Sequence, residues 1–221
     1  MAVRTRDRII DTARQLFNRL HYANVTTAML ADAVGIAEGN LWYHFKTKRD
    51  LLEAITEQFI IRTDARLERV VDQHDVLESY VSYLAVLVSE LRDFRFLYRD
   101  QADYGAHTDV LEQRLPHIYA RSHENFAAFF RAMRDKGLLD ISNGEIDALA
   151  LNAIIVIRYH LEYLRESGQV ETEGSGAVTK GIAQHLTLFS HRLTPAAKLA
   201  LERRIYALGS SGLKIGDACV M

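Results

Sequence analysis

The stretch Gly35-Ile-Ala-Glu-Gly-Asn-Leu-Trp-Tyr-His-Phe-Lys-Thr-Lys-Arg-Asp-Leu-Leu52 decides the fold of this chain. Gly35 closes one short helical pattern, and Glu38 to Phe45 opens another after only a brief break. Leu41 and Phe45 stand four apart and so share one helix face. Asn40, Trp42, Tyr43 and His44 then point elsewhere, followed by the cations Lys46, Lys48 and Arg49. Before Gly35, a helix from Thr26 or Thr27 to Val34 has Leu30, Ala31 and Val34 as its inward face. Helix, short turn with glycine, helix is the helix-turn-helix arrangement, and its second helix can sit in a DNA groove.

The charge distribution agrees. Residues 1–49 hold eight Arg or Lys against four Asp or Glu, and the rest hold nineteen against twenty-five, so a basic head precedes an acidic body. The chain has 221 residues, 48% of them hydrophobic and 25% charged, which is ordinary for a globular protein with a substantial core. No apolar run approaches the roughly 20 residues that span a bilayer, and Met1 to Arg8 lacks the apolar segment of a signal peptide. With Cys219 as the lone cysteine, no intrachain disulfide can form, and a cytoplasmic location without membrane contact is expected.

Two prolines and no strand-like alternation predict an all-helical chain. Ile9, Ile10, Ala13, Leu16, Phe17 and Leu20 form a first helix behind the DNA-reading pair. Thr47 and Asp50 cap a long helix running to about Val71. Further helices are expected over Asp75–Leu91, Phe94–Tyr104, Thr108–Lys136 with an interruption or kink at Pro116, and Glu145–Ser167 behind a Ser142/Glu145 capping pair. A surface loop over Ser167–Gly176, a helix over Val178–Arg192, and a last one opened by Thr194 and Pro195 and ending near Leu208 complete the pattern. The implied organisation is a helix-turn-helix DNA-binding domain over 1–47, a helical body over 48–208 and a partly disordered tail over 209–221.

From Thr5 to about Leu52 the chain resembles the TetR family of bacterial transcriptional regulators. The match rests on Ile9, Ala13, Leu16, Phe17, Tyr22, Thr26, Thr27, Leu30, Ala31, Gly35, Leu41, Tyr43, His44, Phe45, Lys48 and Leu51-Leu52. Three positions depart from the family pattern. His21 stands where glycine usually ends the first helix, and histidine tolerates the left-handed conformation that the turn needs. Ala28 lacks a polar side chain. Glu38 places a negative charge at the start of the recognition helix, favourable to the helix dipole but repulsive to phosphate.

Asn40, Tyr43 and His44 are the candidates for reading or gripping DNA, since Asn bonds adenine and the rings contact phosphates or thymine methyls. Thr27 and Lys48, each at a helix start, are candidates for phosphate. Trp42 either joins them or packs the small domain. Arg4, Arg6 and Arg8 form either an arm toward the DNA backbone or a solvated tail.

In the body, Ile154 to Ile157 place β-branched side chains on every face of one helix, and Val178, Ile182, His185, Leu186 and Phe189 give a second stripe. Together with the resemblance they imply a homodimer with a four-helix interface, for which Ile154, Ile157, Ile182 and Phe189 are the candidates. The resemblance also implies an effector cavity in the aromatic-rich body. Tyr98, Tyr104, His123, Arg158 and Tyr159 are its candidate contacts, suited to an aromatic or acyl molecule with one polar or acidic end. If Arg158 faces the cavity, an anionic ligand follows; if it pairs with Glu162 outside, a neutral one does. His117 and His123 do not share a helix face, so no metal is expected, and no cofactor motif or catalytic constellation can be placed. The expected function is therefore a one-component repressor that binds a palindromic double-stranded operator as a dimer and is released by a small molecule. The alternative is a DNA-bound scaffold or nucleoid-organising protein that recruits a protein partner.

Overall fold

The computed structural model describes residues 5–104, 109–169 and 177–210. Ten α-helices are found among them: α1 (Thr5–Leu20), α2 (Thr27–Val34), α3 (Glu38–His44), α4 (Lys48–Leu67), α5 (Val76–Asp93), α6 (Arg95–Arg99), α7 (Asp109–Asp135), α8 (Asn143–Glu166), α9 (Ala177–Leu186) and α10 (Pro195–Ser210). The described residues contain no strand, only one isolated antiparallel bridge between Leu139 and Leu193. The expected all-helical class is correct. No described helix is long and apolar enough to cross a membrane.

Several boundaries follow from local chemistry visible in the sequence. Thr26 adopts an extended N-cap conformation and accepts the Met29 N–H, and Gly35 closes α2 at φ 74° with its N–H directed to the Ala31 and Asp32 carbonyls. The Asp50 carboxylate accepts from the Thr47 N–H and hydroxyl while the Thr47 hydroxyl caps the Asp50 N–H, so α4 starts where the pair predicts. The Glu145 carboxylate likewise accepts from the Ser142 N–H and hydroxyl at the start of α8.

Other expectations change. The helix predicted to run to Val71 ends at Leu67. The single helix expected over Phe94–Tyr104 is instead α6 followed by a 3-10 turn at Gln101–Asp103, because the Asp100 side chain turns back to bond residues of α1's end. Pro116 lies inside a continuous α7. The predicted Val178–Arg192 helix stops at Leu186 and resumes as a 3-10 turn at Ser190–Arg192. Residues 211–221 of the expected tail, and 170–176 of the expected loop, lie outside the described residues.

The chain packs as two compact units. The first comprises the chain up to Asp64 together with Glu90–Pro116; the second comprises Ala65–Ser89 and the chain from His117 on. Packing therefore groups most of α4, and all of α6, with the N-terminal helices rather than dividing the chain at residue 47. In the first unit, Ile9, Ala13, Phe17, Leu30, Leu41 and Ile55 are almost fully buried. In the second, α9 packs on α8 and α10, and Tyr80, Phe126, Phe130 and Phe189 form a wholly buried aromatic core.

Candidate nucleic-acid interface

Helix α3 is anchored by Leu41, 2% exposed, and by Phe45 just past its end, 4% exposed. These two side chains fix the rotation of the helix, so that Tyr43 is 85% exposed while Trp42 is 40% exposed. Asn40 is also exposed and His44 half-buried, with the Tyr43 and His44 rings edge to face at 5.3 Å. Nothing in the packing of the unit requires Tyr43 to be aromatic. A large ring held in water by a rigid helix is the arrangement expected of a contact residue.

The other candidates are placed differently. The half-buried Thr27 donates its hydroxyl to Glu38 Oε1 at 2.7 Å, tying the start of α2 to the start of α3. Lys48 is turned inward: its ammonium donates to the Tyr22 carbonyl and lies 4.1 Å from the centre of the Tyr22 ring. Burial pulls its pKa below the ordinary lysine value. Arg8 donates to the Val34 carbonyl at 2.7 Å, and Arg6 lies over the Phe45 ring at 5.0 Å. Both arginines lie on α1 and are exposed, each with one contact to the head; Arg4 lies outside the described residues. Lys46 is exposed, and Arg49 is exposed and pairs with Glu53 at 2.9 Å. Its place at a helix start singles Lys48 out in the sequence, but only the fold reveals that it faces Tyr22.

The end of α1 is held by residues 92–104. His21 takes the left-handed conformation at φ 69° and its Nδ1 lies 2.9 Å from Asp100 Oδ1. Asp100 Oδ2 accepts the Tyr22 N–H at 2.8 Å. Burial alone would raise the Asp100 pKa, but the bonds from Arg99, the Tyr22 N–H and His21 hold it below the ordinary aspartate range. Arg99 also donates to the Phe17 and Asn18 carbonyls, each at 2.9 Å, at the end of the helix, where the Phe17 carbonyl also accepts the His21 N–H at 3.1 Å. Asp93 accepts from Arg62 at 3.1 Å with Arg14 3.6 Å away, and both guanidiniums lie over the Phe94 ring. Sequence reading missed Asp100 and Arg99, because their partners stand about eighty positions away.

The candidate effector contacts divide between the two units. Tyr98 and Tyr104 belong to the first unit, and His123, Arg158 and Tyr159 to the second. Tyr98 is half-buried with its ring edge-on to Phe59 at 5.5 Å. Tyr104 is 1% exposed and donates its hydroxyl to the Phe96 carbonyl; burial pushes its pKa well up. His123 Nε2–H donates to the Asp147 carbonyl at 3.1 Å. Arg158 lies over the ring of Tyr159, which is 59% exposed. An open cleft of about 550 Å³ in the second unit, lined by Arg134, Asp140, His191 and Arg192 among others, includes none of these candidates.

The candidate interface residues need correction. Ile157, Ile182 and Phe189 are 2%, 0% and 0% exposed within one chain, and Ile154 is half-buried. The reason is rotational. Helix α8 turns Ile146, Ala150, Ala153, Ile157 and Leu161 inward, and its outward stripe is Leu151, Ile155, Tyr159 and Tyr163, each 47% exposed or more. The regular four-residue spacing of that stripe is the signal that would have found it. Helix α9 directs its own stripe inward, carrying His185 with it. His185 is wholly buried among Tyr80, Phe126 and Phe189, with Nε2 hydrogen-bonded to the Tyr80 hydroxyl and Nδ1 without a partner. Burial lowers its pKa to about 3, so the ring is neutral. Among the described residues, no group of three or more His, Cys, Asp or Glu could hold a metal ion.

Residues 9–55 match the family described as "Bacterial regulatory proteins, tetR family", and residues 53–201 match TetR, a "Bacterial transcriptional repressor". The class D tetracycline repressor protein of Escherichia coli is 32% identical over 107 residues, covering 46% of this chain and 44% of that protein. The class H protein of Photobacterium damsela subsp. piscicida gives the same figures. The chain thus aligns to less than half the length of these curated relatives. A TetR-family transcriptional regulator from Marinobacter aquaeolei VT8 is 28% identical, with a TM-score of 0.73 over 95% of this chain and 99% of that one. A gamma-butyrolactone receptor (ArpA-like protein), 18% identical, shares the fold with a TM-score of 0.60 over 95% and 98% of the two chains. The N-terminal helix-turn-helix and the helical body each match the family's own description, and this chain belongs to the TetR family of bacterial regulatory proteins.

Proposed function

We propose that the protein is a transcriptional repressor that binds an inverted-repeat operator as a homodimer and is released by a small-molecule effector. Residues 1–47 act as the reading head and 48–208 as the effector-binding and dimerising body. The observation that carries the reading is Tyr43, 85% exposed on a helix whose rotation is fixed by two buried anchors. Asn40, Trp42, Tyr43 and His44 contact the groove and its walls, and the exposed Lys46 supplies the phosphate contact first expected of Lys48.

Two copies meet through the outward stripe Leu151, Ile155, Tyr159 and Tyr163, whose exposure in one chain leaves a contiguous apolar face to cover. Adjacent half-sites then require recognition helices roughly 34–36 Å apart. The effector is aromatic or acyl with one polar or acidic end, and it acts by favouring a state in which that spacing is lost. Displacement of the Arg95–Arg99 helix reaches α1 directly, because Arg99 and Asp100 hold the Phe17, Asn18 and Tyr22 backbone. A related fold, the SmeT–triclosan complex, is known with an aromatic ligand bound.

The test begins with sequencing of genomic fragments enriched by the protein, followed by anisotropy on the recovered sites. An inverted repeat bound by a dimer, with release by a hit from a thermal-shift screen of aromatic and acyl compounds, is the expected result. A ligand at one hundred times its dissociation constant stabilises the folded protein by about 2.7 kcal/mol, enough to move a melting curve by a few degrees. Enrichment of no common site, or a monomer on DNA, contradicts the reading.

A further inference from the structure

Glu38 opens α3 and is the only acidic side chain in that helix. A carboxylate at the leading end of a helix that enters DNA repels phosphate, and it can accept hydrogen bonds but not donate them. The molecule nonetheless gives it a partner. Thr27 donates to Oε1 at 2.7 Å, which occupies the threonine hydroxyl and ties down one carboxylate oxygen. Among the described residues, Oε2 has no hydrogen-bond partner, and the side chain is exposed. The result is an exposed carboxylate with one oxygen engaged and the other open to a partner.

The next residue supplies an independent observation. Gly39 lies inside α3 with ordinary helical backbone, and a Cβ built there meets nothing within 4 Å. Glycine in a helix is less stable than alanine, because it gives up more backbone freedom on folding. Nothing in the chain's own packing requires it. A bare backbone at that point leaves room for a base edge or sugar to come close from outside.

We propose that Glu38 is a specificity-determining residue that accepts a hydrogen bond from the N4 amino group of a cytosine in each half-site, with Thr27 as its positioning residue and Gly39 leaving the approach clear. This rests on the DNA-binding reading above. In the major groove only the amino groups of cytosine and adenine donate. Guanine presents acceptors at O6 and N7, thymine presents O4, and adenine places its N7 acceptor beside its amino group. An anionic acceptor is therefore best matched to cytosine and is repelled by thymine and guanine.

Randomised duplex DNA is selected with the wild type, Glu38→Gln, Glu38→Ala, Thr27→Val and Gly39→Ala, and binding is then measured by anisotropy on the selected site and on versions with the cytosine pair changed to thymine. The wild type is expected to enrich an inverted repeat with a fixed cytosine in each half and to discriminate against thymine by about tenfold or more. Glu38→Gln, whose amide both donates and accepts, and Glu38→Ala lose that discrimination. Thr27→Val keeps the preferred base but weakens the preference, since the carboxylate is no longer held. Gly39→Ala lowers affinity on all sites while the melting temperature stays level or rises. If the wild type and Glu38→Gln select the same base at every position with equal discrimination, Glu38 does not read DNA and the proposal falls. If the wild type enriches no inverted repeat at all, the DNA-binding reading fails first and the proposal with it.

Discussion

Tyr43 and Tyr80 are the same side chain in opposite settings. Tyr43 is 85% exposed, on a seven-residue helix whose packing would tolerate almost anything at that position. Tyr80 is 1% exposed, within ring contact of Phe126, Phe129, Phe130, His185 and Phe189, and bonded through its hydroxyl to His185. Burial holds its phenol pKa well above the ordinary value, so it is neutral throughout the accessible range. Aromatic density thus carries no fixed meaning in this chain. In α3 the rings face solvent; in α5, α7 and α9 they hold the second unit together.

That contrast sets the order of expected effects. Phe189→Ala should destabilise the protein most, by about 3–5 kcal/mol, because it empties a wholly enclosed site. Urea denaturation checks this, and a loss of dimer without loss of stability would return Phe189 to an interface. Ile155→Glu should leave the chain folded and raise the dimer dissociation constant by at least about a hundredfold, about 2.7 kcal/mol, since it places a lone charge on the outward stripe. Light scattering across a concentration series reads that change, and an unaltered dimer would place the interface elsewhere.

His185 gives a pH signature. Its folded pKa of about 3 lies below the ordinary value of 6.5, so the unfolded chain binds the additional proton. Its contribution is complete above about pH 6.5 and declines as pH falls toward 3, with a slope approaching about 1.4 kcal/mol per pH unit. His185→Phe should remove that slope, as measured by chemical denaturation between pH 6.5 and 4.5; Asp100, whose folded pKa is depressed, weakens the fold only at lower pH still. The smallest change is Thr26→Ala, which removes the cap of α2 and should cost about 1 kcal/mol. A thermal melt checks it, and no change would mean that the N–H groups at the start of α2 find other partners.

The helix-turn-helix was legible because each of its boundaries is a local event. Thr26 caps within three residues, Gly35 turns the chain at a single position, and Leu41 with Phe45 sets one face. The capping pairs at Thr47/Asp50 and Ser142/Glu145 were legible for the same reason. What escaped was long-range pairing. Asp100 has no visible partner in the sequence until the chain brings Tyr22 to it, and His185, counted in the apolar stripe, meets Tyr80, 105 residues away, only in the fold. Lys48 followed the family pattern in sequence and turned inward in space. On α8 the apolar positions were found but their faces were not. Four consecutive β-branched residues cover the whole circumference, and only the flanking Leu151, Tyr159 and Tyr163 distinguish the outer side from the inner.

The central claim is that α3 is a presented surface and not part of the core. Its most direct test is Tyr43→Ala, measured in parallel for urea midpoint and for binding to the enriched genomic site at fixed salt. The account predicts stability within about 0.5 kcal/mol of wild type, as for a surface side chain, together with a loss of affinity of tenfold or more, about 1.4 kcal/mol. Wild-type affinity in a stable Tyr43→Ala protein, or a destabilisation approaching that of Phe189→Ala, would contradict it.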